Sequence, residues 1–160
     1  MLDHKTLVSL LDYDPDAGQF RWRVNRQRAR KGGVAGGINP RDSYWYIKIE
    51  ERSYSAHRLA WFYVTGDFPA FDLDHKNTIK HDNRFENLRP ATDSLNGANR
   101  ERQRNNKSGF KGVHPRAGRW CAQITYAKKH YFLGIFDDPA VAHAAYVEAA
   151  QKLFGEFARG

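Results

Sequence analysis

A chain of 160 residues, 41% apolar and 14% aromatic, can form one ordinary domain or two small ones with a buried core. No run approaches the roughly 18 apolar residues of a membrane span, and acids stand in the N-terminal MLDHKTLVSLLDYD where a signal peptide is apolar, so an intracellular protein away from membranes is expected. A single cysteine, Cys121, excludes an internal disulfide and a multi-cysteine zinc site, and 26 Lys and Arg against 18 Asp and Glu exclude an acidic disordered tail.

Residues 4–11 predict a short helix with Leu7, Leu10 and Leu11 on one side. Asp14 to Gly18 is a turn, and Phe20 to Val24 alternates apolar and basic residues, a strand with one wet cationic face. Residues 25–42 read as loop. Tyr44 to Ile49 and Tyr54 predict a hairpin turning at residues 50–52. Arg58 to Val64 is an apolar helix stopped by Gly66 and Pro69. Phe71 to His75 is extended, residues 76–86 form a polar loop, and Thr92 caps a helix running through Asn96 and Asn99 toward Arg104.

Residues 103–107 read as a linker, and the remainder is a separate unit. Strand patterning covers 110–114, 119–127 and 129–136. On the second strand Trp120, Ala122, Ile124 and Tyr126 share one face, and Arg119, Cys121, Gln123 and Thr125 the other. Asp138-Pro139 opens a helix with Ala142, Tyr146, Ala149 and Leu153 as its packed stripe, ended by Gly155.

Charge is local. Between Arg100 and Leu133 stand nine basic residues and one acid, Glu101, which accounts for the whole net excess of +8. A second block, Arg21 to Lys31, holds six basic residues and no acid. Such blocks suit a phosphate backbone, because displaced counterions supply much of the affinity. A solvated basic face without a partner is the plain alternative.

The segment LDHKNTIKHDNRFENLRPATDSLNGANR carries the chemistry. Hydrolysing a phosphodiester needs an activated water, stabilisation of developing negative charge, and help for the leaving oxygen. A neutral histidine such as His75 can take the proton. Carboxylate and amide oxygens such as those of Asp74 and Asn96 suit a hard divalent ion, whereas zinc prefers more His or Cys. Taken singly, each of these residues is as readily a cap or a turn former.

In order, the segments Ala56-His57-Arg58-Leu59-Ala60-Trp61, Thr65 to Pro69, Asp74-His75-Lys76-Asn77, Asp82-Asn83-Arg84 and Asn87-Leu88-Arg89 resemble the HNH endonucleases of the ββα-metal fold, especially the phage homing-endonuclease branch. The resemblance covers roughly residues 43–102. It implies Asp74 and Asn96 as ligands of one divalent metal, Mg²⁺ or Mn²⁺, with His75 as general base. Asn87 would hold the His75 ring through its second nitrogen. His57 serves either the core or a phosphate, Asn99 stands one turn from Asn96 as an auxiliary or rival ligand, and His81 and Asn83 shape the loop.

Residues 108–158 resemble the DNA-binding domain of plant ethylene-response factors (APETALA type), through Ser108 to Val113, Arg119 to Ile124, Leu133 to Phe136, Ala144-Ala145-Tyr146 and Phe154-Gly155. That resemblance implies a sheet in the major groove with a helix bracing its back. His114, Arg116, Arg119, Gln123, Thr125 and His130 would then face DNA, and Lys111, Lys128 and Lys129 would meet phosphates. Thr125, His130 and Phe132 replace the Arg, Arg and Trp of the plant pattern, so base specificity does not carry over.

The fold expected is α+β: a ββα-metal (His-Me finger) nuclease core over about residues 70–102 with a small N-terminal α/β extension, then a three-stranded antiparallel sheet packed on one helix. The domains would be 1–102 and 108–160, joined by the linker 103–107. The function expected is metal-dependent hydrolysis of double-stranded DNA, leaving 5′-phosphate and 3′-hydroxyl ends, by a monomer or weak dimer on DNA, in a bacterial host cytoplasm if phage-encoded. Arg21, Arg23, Arg26, Arg28, Arg30 and Lys31 would contact phosphates near the cut, and Arg100, Arg102 and Arg104 would track the backbone. The rivals are a non-catalytic DNA-binding regulator with a degenerate nuclease half, and a structure-specific or RNA-directed nuclease.

Overall fold

The computed structural model describes residues 2–27, 29–99 and 105–158, which form two compact units dividing between Pro90 and Ala91.

The first unit opens with α1 (His4–Leu10), whose N-terminus is capped by Asp3 accepting from Thr6 N at 2.8 Å. The helix stops where the chain extends into β1 (Leu11–Asp14), which pairs antiparallel with β2 (Gln19–Trp22), Leu11 opposite Trp22 and Tyr13 opposite Phe20. The intervening turn forms because Asp14 Oδ1 accepts from Asp16 N and Ala17 N, while Gly18 takes φ +66°. Alternation puts Leu11, Tyr13, Phe20 and Trp22 inside and leaves Arg21 exposed, as the sequence pattern requires.

The stretch expected to be loop contains one short strand, β3 (Gly37–Ile38), on the edge of a sheet with β4 (Trp45–Ile49) and β5 (Arg52–Ser55). Gly36, at φ +82°, is required beside it because a Cβ there would collide with the Tyr46 carbonyl. From β5 the chain passes into α2 (Ala56–Thr65), which ends at Gly66 in the left-handed region. Leu7, Leu11, Phe20, Ile47, Ile49, Leu59 and Phe62 form the core beneath these elements. Arg58 then donates to the carbonyls of Pro69 (2.5 Å) and Phe71 (3.1 Å), which sets the path of the chain toward β6 (Asp72–His75). Strand β6 pairs with β7 (Leu88–Ala91), closing the loop that holds the catalytic candidates.

The second unit begins with α3 (Asp93–Asn99) and contains the sheet β8 (Val113–Arg116), β9 (Arg119–Tyr126) and β10 (Lys129–Phe136), with β9 central and all pairs antiparallel. Helix α4 (Pro139–Phe154) packs on it, started by Asp138 accepting from Ala140 N and Val141 N with Pro139 at the first helical position. The first strand starts at Val113 rather than Phe110, because Ser108 and Asn106 hold residues 108–113 in a hydrogen-bonded turn closed by Gly112 at φ +72°. The fully buried stripe of α4 is Ala142, Tyr146, Ala150 and Phe154, with Ala149 and Leu153 only flanking it. Cys121 lies on the sheet face away from α4, as its alternation requires, but is only 1% exposed there.

The division at Pro90 falls well before the boundary expected at residue 102. Ala91 and Ala98 join Ile124, Tyr146, Phe154 and Phe157 in one apolar cluster, and the Lys111 ammonium donates to the Ala98 carbonyl. Those contacts make α3 part of the second unit.

Candidate active site and nucleic-acid interface

Strand β6 alternates, with Leu73 and His75 buried and Asp74 at intermediate exposure. Asp74 faces Arg89 of β7, whose Nε and Nη2 both donate to Asp74 Oδ2, at 3.0 and 2.9 Å. Both side chains are largely out of water, at 12% and 8% exposure, where a charge is costly without a partner such as this one. Arg89 stands in the Asn87-Leu88-Arg89 motif, whose order alone gives it no role. An opposite-charge pair on two short strands was the available signal.

His75 is 4% exposed and sits among aromatic rings. His57, from the first turn of α2, meets it edge to face with centroids 5.1 Å apart, and Tyr44 lies 5.9 Å from His75 and 5.2 Å from His57. Lys80 rests over the Tyr44 ring at 5.0 Å. Burial lowers the His75 pKa, opposed by Asn83, Asp74 and Asp82, each of which favours the protonated ring. The imidazole is therefore neutral at pH 7, the form a general base requires. His57 is pushed down to about 3, first by burial and then by His75 and Arg58, and its buried Nδ1 has no hydrogen-bond partner among the described residues. It is a neutral ring packed in the core.

Asn87 does not hold the His75 ring, which corrects the contact expected from the sequence. Its Nδ2 donates to Asn77 Oδ1 (3.0 Å) and the Asp82 carbonyl (2.8 Å), and its Oδ1 accepts from Asn77 N (3.1 Å). Both amide protons are spent on the loop. Lys76 N also donates to the Asn87 carbonyl at 2.9 Å, so Asn87 is the brace of residues 76–87. The group beside His75 is Asn83, 2% exposed, whose Nδ2 donates to the His81 carbonyl while its buried Oδ1 makes no well-formed hydrogen bond. Asp82 completes the loop, accepting from Arg84 and Asn77, and the Arg84 bond is the main reason its pKa falls to about 2. Tyr13 ties the loop to the core by donating to the Asn83 carbonyl at 2.6 Å.

Asn96 and Asn99 lie on α3, in the second unit. Asn99 is 6% exposed, and Asn96 carries a buried Oδ1 with no hydrogen-bond partner among the described residues. Among the described residues no group of three or more His, Cys, Asp or Glu side chains is arranged to hold a metal. The donors on offer are oxygens, which fits a hard cation that keeps most of its waters and does not fit zinc. An orphaned buried amide oxygen such as that of Asn96 has the chemistry of a ligand lacking its ion.

The basic block of the first unit is largely outward-facing. Arg21 donates to the Gly32 carbonyl, Arg23 pairs with Asp12 at 2.9 Å where both are exposed, and Arg30 and Lys31 are exposed. Arg26 differs, its guanidinium stacked on Trp22 at 4.6 Å. Arg28, Arg100, Arg102 and Arg104 lie outside the described residues.

In the second unit Arg116, Arg119, Gln123, Thr125, Lys128, Lys129 and His130 are exposed and His114 half-buried. Arg119 is paired with Asp137 through Nε (2.6 Å) and Nη2 (3.2 Å), and Thr125 Oγ1 is bonded to His130 Nδ1 at 2.9 Å. Lys111 is not placed to meet a phosphate, because its ammonium is bound to the Ala98 carbonyl at the end of α3. Among the described residues no helix is long and apolar enough to cross a membrane.

Residues 54–98, which run from β5 to α3 and include Asp74, His75, Asn87 and Asn96, match the family model described as HNH endonuclease. No curated protein and no solved structure matches the chain. The family match supports a nuclease acting on DNA, and it rests on the same segment that places a neutral histidine beside a carboxylate.

Proposed function

We propose that this protein is a metal-dependent DNA endonuclease, with His75 as general base. The observation that carries the reading is His75 itself, a buried imidazole kept neutral at the end of β6, next in sequence to the Asp74 carboxylate and inside the matched segment. His75 would accept the proton of the attacking water, and the rings of His57 and Tyr44 hold the imidazole in one orientation. Arg89 fixes the Asp74 carboxylate, and Asn87 braces the loop on which both depend. Asp74 and Asn96 are the proposed metal ligands, from the motif order and their oxygen chemistry. A bound divalent cation supplies Lewis acidity to the scissile phosphate and the leaving oxygen.

The exposed cations Arg21, Arg23, Arg30 and Lys31 would contact phosphates beside the cut, and the β8–β9–β10 sheet would lie in the major groove. One site per chain gives a nick, and a double-strand break needs a second encounter.

The Arg89 guanidinium on Asp74 favours a second reading, a DNA-binding protein with an inactive nuclease half, since it already neutralises the carboxylate. A supercoiled-plasmid assay with Mg²⁺ separates the two. The wild type should nick and His75→Ala should not, while both bind the plasmid equally. Equal binding with no nicking by either protein establishes the second reading.

A further inference from the structure

Sheet register decides which side chains of the second unit share its outer face. Gln123 stands opposite Phe132, Thr125 opposite His130, and Cys121 between His114 and Ile135, while α4 covers the other side. Phe132 is 61% exposed and Ile135 38%. A solvated sheet face is ordinarily polar, so an aromatic ring standing out from the middle of this one needs a reason.

Charge is arranged around that centre. Arg116 and Arg119, the latter paired with Asp137, flank the β8–β9 turn, and Lys128 in the β9–β10 turn and Lys129 beside it stand at the other end of β9, about 23 Å away along the strand. The middle is uncharged. Cations at both ends of an uncharged platform complement two phosphate walls with base edges between them, which makes duplex DNA the occupant that this face fits.

The middle is also chemically selective. Arg119 has its fork on Asp137, and Thr125 and His130 satisfy each other. Among the described residues the Gln123 carboxamide bonds to no other side chain, and it lies across from Phe132. A glutamine carboxamide matches the N6 and N7 groups of adenine, and apolar side chains match the thymine methyl. Both groups select the same base pair.

We propose that this face selects A·T pairs at its centre, with Gln123 on adenine and Phe132 and Ile135 on thymine methyl groups. The inference rests on reading the second unit as a major-groove binder.

The test uses the full-length chain in calcium buffer to suppress cleavage. Sites are selected from a randomised duplex library, and binding is then compared between thymine duplexes and duplexes carrying deoxyuridine instead, which lack only the methyl. Selection should enrich A·T at adjacent central positions. Loss of the methyl should weaken wild type about tenfold and leave Phe132→Ala unchanged, and Gln123→Ala should lose preference for adenine. Phe132 is exposed, so its replacement leaves the fold intact, as circular dichroism will verify. Enriched G·C sites, or equal wild-type affinity for thymine and deoxyuridine duplexes, would overturn the base preference while leaving the groove reading standing. Duplex affinity unaffected by Lys128→Ala/Lys129→Ala and by Arg116→Ala in the full-length chain would overturn the groove reading itself, and would leave Phe132 and Ile135 as a surface for an apolar protein partner.

Discussion

Arg89 donates from two of its nitrogens to Asp74 Oδ2, at 3.0 and 2.9 Å, across the β6–β7 pair. Removing one member takes this ion-pair partner from the other charge in a nearly dry site. Arg89→Ala should therefore cost about 3–5 kcal/mol, and Arg89→Met/Asp74→Leu should cost far less than the sum of the single changes. Urea unfolding of the four proteins measures both. A loss under 1 kcal/mol for Arg89→Ala would mean that water already reaches the pair.

His57 gives stability a pH dependence of definite sign. Its folded pKa of about 3 lies below the ordinary 6.5, so below pH 6.5 the unfolded chain binds a proton that the native one refuses. Stability then falls as pH falls, by about 1.4 kcal/mol per unit until pH nears 3. His75, lowered by burial, acts in the same direction. In metal-free buffer His57→Phe should keep the ring packing and flatten the slope between pH 6.5 and 5. An unchanged slope would show that His57 is solvated.

Two glycines of the second unit have the same sign of φ but different surroundings. Gly112, at +72°, lies against the Tyr146 ring where a Cβ would collide, whereas Gly118, at +78°, has nothing within 4 Å. Gly118→Ala should cost about 1 kcal/mol for conformation alone, and Gly112→Ala at least twice that because Tyr146 must move. Thermal unfolding of both variants decides it, and equal shifts in Tm would be the wrong outcome.

Asn87 makes three side-chain hydrogen bonds within its loop. Asn87→Ala leaves the Asn77 and Asp82 groups without those partners and should cost about 1–3 kcal/mol. It should also speed amide exchange across residues 76–87. Protection unchanged there would show that the loop is held by Tyr13 and Arg84 instead.

What could be read beforehand followed from periodicity and punctuation. Asp138-Pro139 and Gly155 bracket α4, the alternation in 119–126 defines β9, and Gly66 stops α2, because each is a local rule written in adjacent residues. The misreadings concern partners chosen in three dimensions. Asn83 and Asn87 are equally plausible beside a histidine, and only the folded loop decides which one turns toward His75. Lys111 reads as a phosphate ligand until α3 brings the Ala98 carbonyl within reach. The α4 stripe moved from Ala149 and Leu153 to Ala150 and Phe154, because the larger apolar ring at Phe154 faces Tyr126. Tyr44 carries no motif at all, and its place beside both histidines is visible only in the fold.

Cys121, the chain's single thiol, lies in the central strand of the second unit at 1% exposure. An alkylating reagent can reach it only when the packing around that strand opens, so the rate of labelling counts openings of this one unit and is blind to the other. The sequence thus contains its own clock for the C-terminal half, against which the protection conferred by any bound duplex can be timed.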